Sequence, residues 1–348
     1  MIGNTMKEII YAIFLSFFLC GLCGNAEAKK KKEVKKSIKR EVQTPYDKLF
    51  KGKKAFTVNG LMKMHLMAGK VYAEFPIELL NRDLALTSSI EDISDNGEGV
   101  VGQFAGRVNQ FRFTLQDSML QARLVRRYGV KNTGMGKNAD QIIERSNTPG
   151  IFQSYKILAY TPDKKAVVVD MTELFLESSR LTNPFPSYAG NSLYGFVQRI
   201  HKFQSQRSEL LGICGNDNSM SVHCNLGFNV DRLVLGSFMQ AKDVPVSVTV
   251  NKILMLLPED PMRPRLADSR IGVNAIIQTE LPDVCQGIKT YYITKRWRIE
   301  PVDEIRYKQG EMVDVKKPIV FYIDTLMPDS WIKYVKAGAE AWNAAFEK

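Results

Sequence analysis

Histidine is the scarcest reagent in this 348-residue chain, with three copies at His65, His201 and His223. Two imidazoles four residues apart on a helix can share a zinc ion, and no pair here has that spacing. His65 sits between Met64 and Leu66 in a run that reads as a strand. His201 follows Ile200 on a face that reads as helical, and both side chains are expected to pack rather than to ligate. His223 lies beside Cys224, with Cys214 nearby, which makes the one metal-like cluster in the sequence. A structural zinc site usually draws on four well-spaced ligands, so a disulfide between Cys214 and Cys224 is the favoured reading. It would close the polar loop GNDNSMSVH, as disulfides do in exported chains. Cys285 then keeps a free thiol.

Other reagents are equally sparse. The sequence contains no H-E-x-x-H, no G-x-S-x-G elbow, no phosphate-binding G-x-x-x-x-G-K-[ST] and no G-x-G-x-x-G after a strand. Glu91-Asp92 and Glu259-Asp260 are neighbours in sequence, not carboxylates facing each other across a cleft. The loop PEDPMRPRLADSRIG, residues 258–272, concentrates proline and arginine. Its three prolines resist both helix and central strand, so it reads as an ordered crossing loop in which Arg263, Arg265 and Asp268 form an ion-pair network at a domain seam.

The elements that would position these residues are mostly strands. Residues 61–67 and 71–75 flank Ala68-Gly69-Lys70 as a hairpin, followed by a helical turn at Ile77–Leu80 and a strand near Leu84–Ser89. Phe111, Phe113 and Leu115 alternate with polar residues. So do Leu120, Ala122 and Leu124 beyond the turn Asp117-Ser118, which is the period of a half-buried antiparallel hairpin. Residues 152–160 and 166–170 form another, and Asp170 or Thr172 caps a short helix through LFLESS. Residues 193–207 read as a second helix, and strands are expected at 246–257, 271–279, 295–299 and 319–323. Trp331, Val335, Gly338, Trp342 and Phe346 recur at helical spacing and put an apolar face on a terminal helix.

The amino terminus reads as a secretory signal over residues 1–28. Lys7 precedes an apolar run from Ile9 to Gly24, and Ala26-Glu27-Ala28 offers a small-residue cleavage site. The chain is therefore expected in the periplasm, on the outer surface or outside the cell. Residues 29–43 form a basic tether. Residues 29–40, KKKKEVKKSIKR, hold eight basic residues and one acid, so most of the formal charge of +11 resides there. Such a run is a solvated spacer that can also touch anionic lipid head groups. No basic stripe interleaved with aromatics follows, which argues against nucleic acid as a partner.

The order of several segments resembles the amino-terminal portion of large exported bacterial zinc-dependent metalloproteases. In these, two domains of unknown function precede a metzincin-like catalytic domain. The matching residues are TPYDKLFKGKK (44–54), YAEFPIELLNRDLAL (72–86), ISDNG (93–97), VVVDMTELFL (167–176), PMRPRLADSRIG (261–272), YYITKRWRIEP (291–301) and residues 316–348 from KKPIVFYIDTL onward. The resemblance implies an α+β, β-rich fold. Sandwich-like antiparallel modules span 44–98 and 99–300, and a linker with the first strand and helix of an incomplete metzincin-like domain spans 301–348. It implies zinc as the cofactor of the full-length family, with the ligands and catalytic glutamate beyond the last matched segment. None is therefore assigned here, and the chain is expected to stop before its chemistry. Asp268 or Cys285 as a shield for that zinc is the lesser alternative to the ion-pair reading. The missing catalytic domain and its substrate proteins or peptides are the expected partners. A stand-alone cell-envelope module that binds peptide or glycan is the alternative function.

Overall fold

The computed structural model describes residues 43–346, except 106–107, 126–129, 134–140, 143–144, 179–181, 186–190, 193–194, 235–237 and 283–288. The signal, the tether and Cys285 lie outside the described residues.

The first ordered element is a six-residue helix, α1 (Pro45–Phe50), fixed by a capping box. Thr44 Oγ1 accepts the Asp47 amide and Asp47 accepts the Thr44 amide, both at 3.1 Å, with proline at the first helical position. Three strands follow: β1 (Phe56–Val58), β2 (Lys63–Met67) and β3 (Lys70–Pro76). Ala68 and Gly69 join β2 to β3 with φ of 51° and 72°, the left-handed pair that a tight hairpin turn requires. The long β4 (Asp83–Ile93), the hairpin β5 (Asn109–Gln116) and β6 (Met119–Leu124), and β7 (Val130–Thr133) come next. Then come β8 (Gly150–Lys156), β9 (Ala159–Tyr160), β10 (Ala166–Asp170) and the short helix α2 (Thr172–Leu176). Asp170 Oδ1 accepts the Thr172 amide at 3.0 Å and so helps to open α2.

Beyond β11 (Asn191–Ser192), three strands dominate: β12 (Gly195–Asn216), β13 (Ser219–Val234) and β14 (Phe238–Leu256). The chain ends with β15 (Ala275–Pro282), β16 (Lys289–Thr294), α3 (Glu304–Lys308), α4 (Asp329–Glu340) and α5 (Asn343–Phe346). The architecture is β-rich α+β with antiparallel sheets. One sheet runs β1-β2-β3-β10-β9, and an eight-stranded one runs β11-β12-β13-β14-β4-β5-β6-β8. A third joins β16, β15 and β7, with β7 parallel to β15. The eight-stranded sheet curls into a half-barrel. Bulges in β12 after Gln204 and Leu210, and in the β13–β14 ladder around Arg232, supply the local bending that such curvature needs.

Each of the two large sheets takes strands from both sides of residue 98. β10 pairs with β3, placing Val167 opposite Phe75, while β4 lies between β14 and β5. Their inner faces meet in one core that contains Met64, Val71, Phe75, Phe113, Leu120, Val169, Phe175 and Val222. Phe75 and Phe113 pack with ring centroids 4.8 Å apart. On β13, Met220, Val222, Cys224, Leu226, Phe228 and Val230 are all buried, so one pleat face is apolar from end to end. Burying side chains of this size stabilises by roughly 1.5–3 kcal/mol each.

Several sequence expectations are corrected. Of residues 193–207, expected as a helix, 195–207 belong to the strand β12, whose long ladder with β13 overrides the local spacing, and 193–194 lie outside the described residues. Residues 219–224, read as part of a stapled loop, open the central strand β13. Residues 295–299 and 319–323 form no strand.

Candidate functional site

The cysteine and histidine cluster does not form. Cys214 faces Ser221 and Cys224 faces Leu210 on the β12–β13 hairpin, so the two thiols lie three residues apart along the ladder. At about 3.3 Å per residue that separation exceeds the 7 Å reach between Cα atoms of a disulfide. Both thiols are free, Cys214 exposed and Cys224 buried. His223 turns instead to Glu91, with Nδ1 2.9 Å from Oε2. His65 and His201 pair in the same way with Glu74 and Glu98, at 3.0 and 2.8 Å. Each imidazole thus has its own carboxylate on a different part of the fold. Among the described residues, no three His, Cys, Asp or Glu side chains gather to hold a metal ion.

The expected network of Arg263, Arg265 and Asp268 is also rearranged. Asp268 pairs with Arg270, two residues on, at 2.6 Å. Arg263 and Arg265 contribute backbone carbonyls, which accept from Arg296 at 2.8 Å and from the Thr294 amide at 2.9 Å. The loop therefore lies along β16 through main-chain bonds, with Leu266 bridged to Ile293. Of the paired acids, Glu91 holds His223, Asp92 accepts its neighbour's amide, and Glu259 pairs with Arg82.

Sequence reasoning missed three polar constellations because each is assembled by strand pairing. In the first, Lys252 is 1% exposed and its Nζ donates to the Glu177 carbonyl at 3.0 Å. Cys224 Sγ donates to the Phe175 carbonyl at 3.3 Å. Both side chains thus reach from the sheet to carbonyls at the carboxyl end of α2, where a cation is favoured. Burial pushes the Lys252 ammonium down to about 8 and the Cys224 thiol up to about 11. Burial and the neighbouring Glu173 also raise Glu177 above the carboxylate range. Both acids line a cavity of about 190 Å³ with Phe152, Gln153, Leu174 and Thr182.

In the second, the Glu98 carboxylate is wholly buried. It accepts from Arg232 at 2.8 and 3.0 Å and from His201, while Arg199 lies 3.3 Å away. Asp95 completes the ion cluster by pairing with Arg232. The His201 ring stacks on Phe185 with centroids 4.0 Å apart. Burial lowers the His201 imidazole below its ordinary range, and the opposing pull of Glu98 does not restore it.

In the third, register sets Thr57 opposite His65 and Lys63 opposite Glu74 across β1, β2 and β3. Thr57 Oγ1 lies 2.8 Å from His65 Nδ1, and His65 Nε2 lies 3.0 Å from Glu74 Oε1. Tyr46 on α1 donates to the same oxygen at 2.6 Å, and Phe50 packs on the imidazole with centroids 4.4 Å apart. Burial works against the Glu74 carboxylate. Hydrogen bonds from His65 and Tyr46 and the charge of Lys63 outweigh it and hold Glu74 below the usual range.

The last feature is a surface. Beyond Leu254, no residue whose side chain is described is buried. Trp297, Phe321, Trp331, Trp342 and Phe346 are each at least 56% exposed. An open groove of about 670 Å³ separates Val302–Val315 from Phe346.

A family model described as "Domain of unknown function (DUF5117)" matches residues 102–302, more than half of the chain. The chain belongs to the DUF5117 family. A second model, "Domain of unknown function (DUF5118)", matches residues 43–93. Neither description names an activity. No curated protein and no solved structure matches the chain. In this DUF5117 protein the Thr57–His65–Glu74 constellation falls in the DUF5118 segment, whereas Cys224 and Lys252 fall in the DUF5117 segment.

Proposed function

We propose that this DUF5117 protein is the exported part of a zinc-metalloprotease-like protein, non-catalytic with respect to zinc proteolysis, and that its surface from Trp297 to Phe346 docks a peptidase domain. One observation carries the reading. After Leu254 the chain holds large aromatic side chains, and among the described residues none of them is buried. Contiguous exposed apolar surface of that kind marks an interaction face. The resemblance of residues 316–348 to the opening of a metzincin-like domain supports a peptidase as the partner. Residues 1–28 serve as the leader, and the basic run 29–40 touches anionic lipid.

The donor sets do not fit a catalytic zinc, because each histidine is committed to a separate glutamate. No hydrolytic step is therefore assigned to this chain through that metal. The test is to sequence beyond codon 348 and to assay the purified chain. An H-E-x-x-H reached in continuous frame, with a peptidase-silent chain, supports the proposal. A stop with a stable secreted product favours an envelope module that binds peptide or glycan. Peptidase activity of the chain that a zinc chelator abolishes refutes the proposal outright.

A further inference from the structure

We propose that Thr57 is the nucleophile of an acyl-transfer site for small activated carboxylic esters, with His65 as its base and Glu74 as the group that sets the base. The inference is independent of the docking reading. An activated hydroxyl needs a base within hydrogen-bond reach and a third group that orients the base. Thr57 Oγ1, His65 and Glu74 stand in that order, at 2.8 and 3.0 Å.

The protonation pattern follows from the acceptor at the far end. An ionised carboxylate can only accept, so Glu74 accepts a hydrogen bond from the protonated Nε2 of His65. In the neutral imidazole this leaves Nδ1 as the acceptor, and the Thr57 hydroxyl donates to it. The ring is buried and clamped by Phe50, while Thr57 is exposed to solvent. Nucleophile and base are thus separated by environment: one meets substrate, the other is shielded from water. β1 is the edge of its sheet, so alternate backbone amides along Phe56–Val58 face away from β2. Among the described residues no strand takes them up, and they are the natural donors to an oxyanion.

The step balances without a further reagent. Thr57 Oγ bonds to the carbonyl carbon as its proton passes to His65 Nδ1. The bond from that carbon to the leaving oxygen breaks, and the leaving alkoxide takes the proton from His65. Water, deprotonated by the same nitrogen, then releases the carboxylic acid and regenerates the hydroxyl.

p-Nitrophenyl acetate tests the site in the full chain. The expected result is a burst of p-nitrophenolate close to one equivalent, with a single acetyl group mapped to Thr57 by peptide mass. Thr57→Val is isosteric, sits at an exposed position and is expected to fold; it should lose both the burst and the label. Thr57→Ser should keep them. Glu74→Gln should slow acetylation at least tenfold, within the range for loss of general-base catalysis. Circular dichroism checks that each variant is folded. Acetylation confined to lysines, an equal rate in Thr57→Val, no burst at all, or an unchanged rate in Glu74→Gln would each overturn the proposal.

Discussion

Lys252 Nζ donates to the backbone carbonyl of Glu177 at 3.0 Å, so a buried cation closes α2 from inside the half-barrel sheet. Below about pH 8 this ammonium is charged in both the folded and the unfolded chain, and its desolvation cost is borne in full. Between about pH 8 and the ordinary lysine range, the unfolded chain holds a proton that the folded chain has released. Stability therefore rises with pH there. Cys224, pushed up to about 11, acts in the opposite sense from about pH 9 upward. Urea unfolding should show a gain of about 1 kcal/mol between pH 7 and 9. Lys252→Met should abolish that gain, and an unchanged pH slope in the variant would refute the assignment.

Glu98 is the common anion of Arg199, Arg232 and His201. Glu98→Ala removes the shared, wholly buried acceptor of two part-buried guanidinium groups and a buried ring and should cost about 3 kcal/mol. Asp95→Ala removes a partly exposed partner of Arg232 and should cost about 1 kcal/mol or less. Comparing urea midpoints of the two variants decides the matter; equal losses would show that Glu98 is not the hub.

A fragment of residues 43–98 lacks β10, β14 and β5, and so leaves both β3 and β4 with open edges. It should be insoluble or unfolded when expressed alone, whereas 43–302 should fold. Dispersed amide signals from the short fragment would contradict the shared-sheet architecture.

Cys214 should react with a maleimide in the native protein. Cys224, wholly buried and bonded to the Phe175 carbonyl, should react only after denaturant is added. Peptide mapping separates the two sites. A reductant should leave the melting temperature unchanged, and a drop would revive the disulfide.

The exposed aromatic surface should make 43–348 self-associate or precipitate more readily than 43–317, which lacks Trp331, Trp342 and Phe346. Size-exclusion chromatography with light scattering measures this. Equal monomeric elution of the two would remove the basis for a docking face.

Local pattern revealed the hairpins of β2 with β3 and of β5 with β6; of the hairpin expected from 152–160 and 166–170 only Ala159–Tyr160 pairs with β10, while residues 150–156 pair with β6. Asp117, in the β5–β6 turn, indeed adopts a left-handed φ of 52°. The apolar face of α4 was equally legible, because Trp331 and Val335 are one helical turn apart. β12 was not, since Phe196, Ile200 and Phe203 also fit a helical spacing and only the distant β13 selects the extended form. β13 does carry a clean alternation from Met220 to Val230, but the loop reading of residues 215–223 between Cys214 and Cys224 cut across its start. The candidate site was invisible for a related reason. Thr57, His65 and Glu74 are spaced by eight and nine residues, and only the registers of two successive strand pairs bring them together.

The interleaved sheets also bear on how the chain is made. Phe75 must wait for Val167, and Thr87 must wait for Ile253, before either ladder can form. At about 5–20 residues per second on the ribosome, the second wait lasts on the order of ten seconds or more. For that interval β4 emerges with no long partner beside it, and its apolar positions stay open to whatever meets the nascent chain. A sequence that cannot close early stays extended for that interval, open to chaperones before its long ladders lock.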